Sequence, residues 1–314
     1  MLSSYGDAQS GSKIWYDLVN PSQADFAEAQ SATGLKLPDR EKLSEIETSS
    51  RVSERGGVLY LSMPFVTNAN SIDEPPSPIG FVLSEKVLVT TRFSELRAFN
   101  ACKAGLLEGK QITSSAEAFA SLTGEMIDVI SDLLEQIGSE LDTLSRQIFP
   151  SMKSRRGRPK LKSNAALRSI LIEVGNTGER LSNIRASILG LQRIVPLPFA
   201  KERPWVSASV VGDLKTSQTD LLSLADFETQ LYGKVQFLLD AVLGFITTKQ
   251  NDIFQVLTVV SVAGIPPTLI ASIYGMNFKD MPELNWSWGY PYALALIVLS
   301  TIIPLLWFKW RGWF

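Results

Sequence analysis

The stretch I-F-Q-V-L-T-V-V-S-V-A-G-I-P-P-T-L-I-A-S-I-Y-G-M-N-F runs from Ile253 to Phe278. No charged residue occurs between Asp252 and Lys279. A helix needs about 20 apolar residues to cross the hydrocarbon core of a bilayer, and this run is longer. A second uncharged run lies between Glu283 and Lys309, most apolar from Pro291 to Phe308. The plain alternative is a pair of buried helices in a soluble protein, but two such runs so close together are rare in soluble cores. We therefore expect two membrane spans, residues 253–275 and 291–309.

The segment between them, K-D-M-P-E-L-N-W-S-W-G-Y-P, is too short for a domain and reads as a hairpin loop covering 276–290. Trp286, Trp288, Tyr290 and Tyr292 stand at one end of the second span, and Trp307, Trp310 and Trp313 at the other. Aromatic residues at both ends suit the two bilayer interfaces. Lys309 and Arg311 follow the second span, whereas the loop sets one lysine against Asp280 and Glu283. The positive-inside rule then places both termini in the cytoplasm and the loop outside. The N-terminus lacks a basic segment followed by an apolar run, so no signal peptide is expected. Two spans cannot enclose a pore, so transport would require an oligomer.

Upstream, the expected fold class is an α+β cytoplasmic domain followed by long helices. Residues 1–112 read as mixed α/β. Ile14–Val19, Val58–Val66 and Ile79–Thr91 are rich in β-branched and aromatic residues and read as strands. Pro21–Ser31 and Asp39–Thr48 read as short helices, and Asn68–Pro78 as a Pro-rich loop. Residues 113–204 read as a helical hairpin. Ser114 or Ser115 can cap a helix that reaches Phe149. That helix carries Glu117, Glu125, Asp128, Asp132, Glu135, Glu140 and Asp142 against one Arg146. Such a run is either a solvated face or a surface that gathers cations. The tip holds Lys153, Arg155, Arg156, Arg158, Lys160 and Lys162. Segment 153–162 has no interleaved aromatics, so we expect contact with anionic lipid or a solvated turn, and no nucleic acid. The return helix runs from about Asn164 to Val195. Leu214, Leu221, Leu224, Leu231, Val235, Leu238, Val242 and Phe245 have helical spacing. A stalk helix over 205–252 is expected to continue into the first span.

The chain has 314 residues, one cysteine and no histidine, a formal net charge of -2 and a mean hydropathy of +0.09. Without histidine there is no Ser-His-Asp triad and no imidazole metal ligand. One cysteine makes no intrachain disulfide and no thiolate zinc site. No G-x-x-x-x-G-K-[ST] sequence points to ATP-driven work. We expect no enzyme and no resident cofactor.

Tyr274, Gly275, Met276, Asn277 and Phe278 end the first span, followed by M-P-E-L at 281–284 and W-S-W-G-Y-P at 286–291. A bare Gly-Met-Asn is only a turn at a helix end. In this order, after P-P-T-L-I-A-S-I and before a second span, it resembles the CorA family of divalent-cation channels, of which Gly-Met-Asn is the defining motif. The resemblance is strong from about Ala241 to Phe314 and weaker back through E-Q-I-G-S-E-L-D-T-L-S-R-Q-I. It implies a funnel-shaped homopentamer in the inner membrane that passes Mg2+, with Co2+ and Ni2+. It also implies that intracellular Mg2+ acts as a regulatory ligand. A superfamily zinc transporter and a non-transporting helical scaffold are the alternatives. The lack of histidine and the M-P-E-L loop disfavour zinc.

The residue chemistry suits a hard cation, which prefers oxygen ligands and gives up water reluctantly. Asn277 offers an amide oxygen at the mouth, and Gly275 is expected to let the backbone bend. Asn251, Phe254, Leu257, Ser261, Ile265, Thr268 and Ser272 are three or four apart and share one helix face. They match the family's pore-facing register. That match implies a polar ring at Asn251, a hydrophobic constriction at Phe254 and Leu257 that can gate by dewetting, and a hydroxyl ring at Thr268. Where many relatives place an acid after N-F, this chain has Lys279, so cation attraction falls to Asp280 and Glu283. For the regulatory metal the resemblance points to Glu95, Asp213 and Asp220 at subunit boundaries. Asp213 and Asp220 are seven apart, on one helix face.

Overall fold

Alternating apolar residues in the first part of the chain pair into one six-stranded sheet. The strands are β1 (Leu2–Gly6), β2 (Lys13–Val19), β3 (Val52–Arg55), β4 (Val58–Phe65), β5 (Ser77–Leu83) and β6 (Leu88–Arg92), in the order β1-β2-β6-β5-β4-β3. Only β2 and β6 run parallel; the other neighbours are antiparallel. In this computed structural model the described residues are 1–6, 13–45, 51–67, 75–108, 111–149, 164–277 and 281–313. They form two compact units, Met1–Leu239 and Asp240–Phe314.

Helices cover both sheet faces, because successive side chains of a strand point to opposite sides. Leu18, Val82 and Val89 pack with Ala29 of α1 (Gln23–Thr33) and with Leu37. On the other face Trp15 meets Phe99 of α3 (Arg97–Leu107) at 6.2 Å between ring centroids. Phe81 there meets Phe119 of α4 (Ser115–Ile148) edge-on at 5.6 Å. The return helix α5 (Asn164–Ile194) lies against β4, where Ser187 Oγ accepts the Val66 N–H at 3.1 Å.

Local chemistry sets the helix ends. Ser22 and Asp25 form a reciprocal capping box at the start of α1. Gly34 ends that helix at φ 70°, a conformation that glycine adopts without steric cost. Asp39 caps α2 (Arg40–Ser44) and Ser114 caps α4, each accepting a backbone N–H one turn on. The acids of α4 are partly neutralised within the chain. Arg97 pairs with Asp132 at 2.8 Å, Arg180 with Glu140 at 2.6 Å, and Lys234 with Asp142 at 2.5 Å.

Several strand and loop expectations need correction. Ile79–Thr91 is not one strand but the hairpin β5–β6. Ser84 turns the chain: its N–H donates to the Val87 carbonyl at 3.0 Å and its hydroxyl accepts the Val87 N–H at 3.1 Å. Ser115 Oγ then donates to the Ser84 carbonyl, which fastens the turn to α4. Ser77 and Pro78 belong to β5 rather than to the loop. Positions 68–74 lie outside the described residues, as do 46–50, so α2 is described only to Ser44.

The last two helices are α6 (Ala208–Tyr274) and α7 (Gly289–Trp310). Helix α6 is unbroken by Pro266 and Pro267. Both carry a stretch long and apolar enough to cross a membrane, and these stretches are almost wholly unburied within one chain.

Candidate functional site

The second unit consists of the end of α6, the single turn Pro282–Asn285 and α7. Its helices are not exposed evenly. Along α6, Ser261 apart, the covered positions are Gln255, Val259, Ala263, Pro266, Pro267, Ile270 and Tyr274. Along α7 they are Gly289, Ala293, Leu296, Ile297, Ser300, Thr301, Pro304, Leu305 and Phe308. Both sets recur every three or four residues, the spacing of one helix face. Val259 and Phe308 are buried, at 8% and 2% exposed, as is Gly289. Near the C-terminal end of α7, the Gln255 amide donates to the Trp313 carbonyl at 3.0 Å. Trp313 in turn stacks on Phe308 at 4.9 Å.

The seven residues expected to line a pore lie elsewhere on α6. At about 100° per residue, their stripe is roughly opposite the covered one. Asn251, Phe254, Leu257, Ile265, Thr268 and Ser272 are exposed, and Ser261 is half-buried. Phe254, Leu257 and Ile265 are 55%, 58% and 64% exposed. A single chain thus presents this stripe outward, free to meet other copies or an ion path. Exposure is equally high at Val256, which shares the angular position of Tyr274, and at Val260 beside it.

Proline lacks an N–H, so Pro266 and Pro267 leave the carbonyls four residues earlier without their usual donors. One turn on, Thr268 Oγ1 donates back to the Gly264 carbonyl at 2.8 Å. With its hydrogen engaged there, the hydroxyl turns acceptor lone pairs outward. That polarity suits a cation or its water shell.

The helix closes at the Gly-Met-Asn tripeptide. Gly275 N–H donates to Ala271 O at 3.0 Å, and Met276 N–H to Ile273 O at 3.2 Å, a tightened last turn. Tyr274 is half-buried, and Gly275, Met276 and Asn277 are exposed. Gly275 is not in the left-handed region. The helix ends here all the same, and the structure adds a steric constraint: a Cβ at this position would stand 3.2 Å from the Ala271 carbonyl oxygen. Asp280 and Lys279 lie outside the described residues, as do the side chain of Glu283 and segment 153–162.

The three acids expected to hold a regulatory metal are spread out. Asp213 and Asp220 are exposed on α6. Glu95 is engaged by the buried Arg92, whose Nη1 reaches its carboxylate at 3.1 Å. Among the described residues of one chain, no group of three or more candidate ligands stands together. Sequence reasoning missed the Arg92–Glu95 pair and the covered stripes. The stripes had a signal in the small and polar residues Ala263, Ala293, Ser300 and Thr301, which let apolar helices approach closely.

Residues 10–310 match the family model described as CorA-like Mg2+ transporter protein. The chain belongs to the CorA family. It is 34% identical over 303 residues to the magnesium transport protein CorA of Yersinia pseudotuberculosis, covering 96% of this chain and 92% of that one. It is 33% identical over 301 residues to the protein of the same name from Escherichia coli strain K12, with the same coverage. The complete structure of the CorA magnesium transporter from Methanocaldococcus jannaschii superposes with a TM-score of 0.78 at 18% identity, covering 100% and 99% of the two chains. That likeness establishes the CorA fold: an α+β domain, long helices and two apolar helices in sequence. For this CorA-family chain, the Gly-Met-Asn end of α6 is then the first place to seek function.

Proposed function

We propose that this chain is one subunit of a gated channel that carries Mg2+, and with it Co2+ and Ni2+, inward across the inner membrane. The observation that carries the reading is the outward stripe of α6, which runs from Asn251 through Thr268 toward Asn277 and faces away from α7. Family membership and the names of the relatives support Mg2+ as the cargo. Five copies around an axis would turn each stripe residue into a ring and cover apolar surface that one chain leaves bare. Asn277 would hydrogen-bond the ion's water shell at the outer mouth, with Tyr274, Gly275 and Met276 shaping it. Phe254 and Leu257 would form the gate. Asp280 and Glu283 would draw cations to the outer loop, and segment 153–162 would touch anionic lipid.

The driving force is the membrane potential, about 2.3 kcal/mol per charge for each 100 mV, and so roughly twice that for a divalent ion. Feedback follows if Mg2+ bridges copies at Glu95, Asp213 or Asp220 when it is plentiful. Both termini would lie in the cytoplasm.

The test is uptake by proteoliposomes containing the purified chain, with Mg2+, Co2+, Ni2+ and Zn2+ offered singly and in competition. The proposal expects Mg2+ entry that follows an inside-negative potential and stops when the potential is collapsed. Entry of Zn2+ alone would favour the zinc transporter, and no flux of any ion would favour a scaffold.

A further inference from the structure

The first unit holds a cavity of about 230 Å3 that ion conduction does not explain. It opens where α2, the segment before it, β3 and β4 meet. Among the described lining residues, Lys36, Lys42, Arg51 and Arg55 stand against one carboxylate, Glu45. Lys36, Lys42, Arg51 and Arg55 form no ion pair among the described residues. Arg51 spends its Nε–H on the Glu45 backbone carbonyl at 2.9 Å, and its two Nη nitrogens have no partner among the described residues.

The strand pattern keeps the obvious counter-charge away. Ser53 and Arg55 of β3 line the cavity, while Glu54 between them takes the other side. There Glu54 binds Lys201 at 2.7 Å and Arg203 at 3.3 Å. Burial first, and the neighbouring Arg193 charge second, hold the Arg51 guanidinium below the usual arginine pKa. Cationic groups that outnumber the acids four to one among the described lining residues repel one another, and a bound anion removes that repulsion.

Two further features describe what else the ligand carries. Ser62, at 3% exposed, is one of the lining residues, and its enclosed hydroxyl has no hydrogen-bond partner among the described residues. Such a group is costly to leave unsatisfied and points to a polar ligand atom. Leu37, Pro38, Leu43 and Tyr60 give the same cavity an apolar wall. Leu43 is seated there because Gly80, the cross-strand partner of Ser62, has no Cβ: one would fall 2.5 Å from Leu43 Cδ2.

We propose that this cavity binds a multiply charged phosphate anion joined to a flat or apolar group, of the class of a nucleoside polyphosphate. Arginine forks and lysine ammonium groups match phosphate oxygens, and the Tyr60 wall takes the attached group. A free phosphate has the charge but no use for the wall. A lipid phosphate has a tail that must leave the cavity. This assignment stands apart from the transport proposal and can fail or hold independently of it.

Calorimetric titration of the full chain in detergent tests it, with metal-free ATP, ADP, pyrophosphate, inorganic phosphate and a short-chain phosphatidate as probes. The expected result is binding of ATP and ADP that weakens with salt and exceeds that of inorganic phosphate. The double variant Lys42→Ala/Arg55→Ala should weaken it by about tenfold or more, and Ser62→Ala by a smaller factor. Lys215→Ala, on the exposed face of α6, should bind as the parent does. Unchanged hydrogen exchange in β3 and β4 of the double variant keeps the comparison free of misfolding. The proposal is overturned by no nucleotide binding at about 5 mM, by binding that the double variant leaves unchanged, by equal affinity for inorganic phosphate, or by binding of the phosphatidate alone.

Discussion

Replacing Asp17 by asparagine should loosen the α/β part of the chain far more than its single atom change suggests. Asp17 of β2 and Arg92 of β6 are both wholly buried. The Asp17 carboxylate accepts Arg92 Nη2 at 3.0 Å, Arg92 Nε at 3.3 Å, the Thr90 hydroxyl at 2.8 Å and Lys103 Nζ at 2.8 Å. Thr90 Oγ1 also accepts the Trp15 indole N–H at 2.9 Å, and the Arg92 guanidinium lies 4.7 Å over the Phe99 ring. One carboxylate therefore serves two cations. Asparagine keeps the shape but removes the one charge that the two cations share. Removing one partner of a buried pair costs about 3–5 kcal/mol. The lower end applies here, because Ser94 O and Glu95 still hold Arg92 Nη1 and Lys103 is part-exposed. A loss of about 3 kcal/mol is a little over a hundredfold in opening equilibrium. Hydrogen exchange of β2 and β6 in the full chain reads this directly. The variant should exchange roughly 100-fold faster there, with little change in α7. The paired replacement Asp17→Leu/Arg92→Met should recover part of the loss, since the wholly buried guanidinium goes with the carboxylate and only the part-exposed Lys103 is left unpaired. Exchange within about threefold of the parent would refute the reasoning. So would a double variant less protected than the single one.

Two further outcomes follow from particular side chains. Asp25 is held at a pKa of about 2, chiefly by the Ser22 backbone N–H and then by the Ser22 hydroxyl. A depressed carboxylate stabilises the fold fully above its ordinary value of 3.8 and loses that contribution as pH falls toward 2. Protection of the first turn of α1 should therefore decline between those two values, and Asp25→Asn should flatten the decline. Leu257→Asn wets the proposed constriction. Ion leak through proteoliposomes held at high internal Mg2+ should rise by about tenfold or more, a barrier change of about 1.4 kcal/mol. An unchanged leak would remove Leu257 from the gate.

The helical half of the fold was legible because its signals are local. Ser114 caps α4 as its sequence suggests, and the uninterrupted spacing from Leu214 to Phe245 reads through to a single α6. The sheet was harder. The β5–β6 turn is built from Ser84 and Val87, neither of which interrupts an apolar pattern the way glycine or proline does. Edge strands β1 and β3 are short and polar, and α3 starts at Leu96 with no capping side chain. The Gly-Met-Asn end of α6 was legible as a motif in context. The cationic cavity was not, since its wall brings residues 36–45, in and around α2, against the paired strands β3 and β4. Glu95 looked free in sequence because its partner, Arg92, becomes a buried cation only once β2 and β6 pair.

The central claim is that the Gly-Met-Asn end of α6 forms the mouth of a Mg2+ path. It is tested most directly by Mg2+ entry into indicator-loaded proteoliposomes under an inside-negative potential, comparing the parent chain with Asn277→Ala at matched oligomer mass. The account predicts potential-driven Mg2+ entry for the parent and its loss in the variant, with assembly unchanged. Equal entry in both would contradict it.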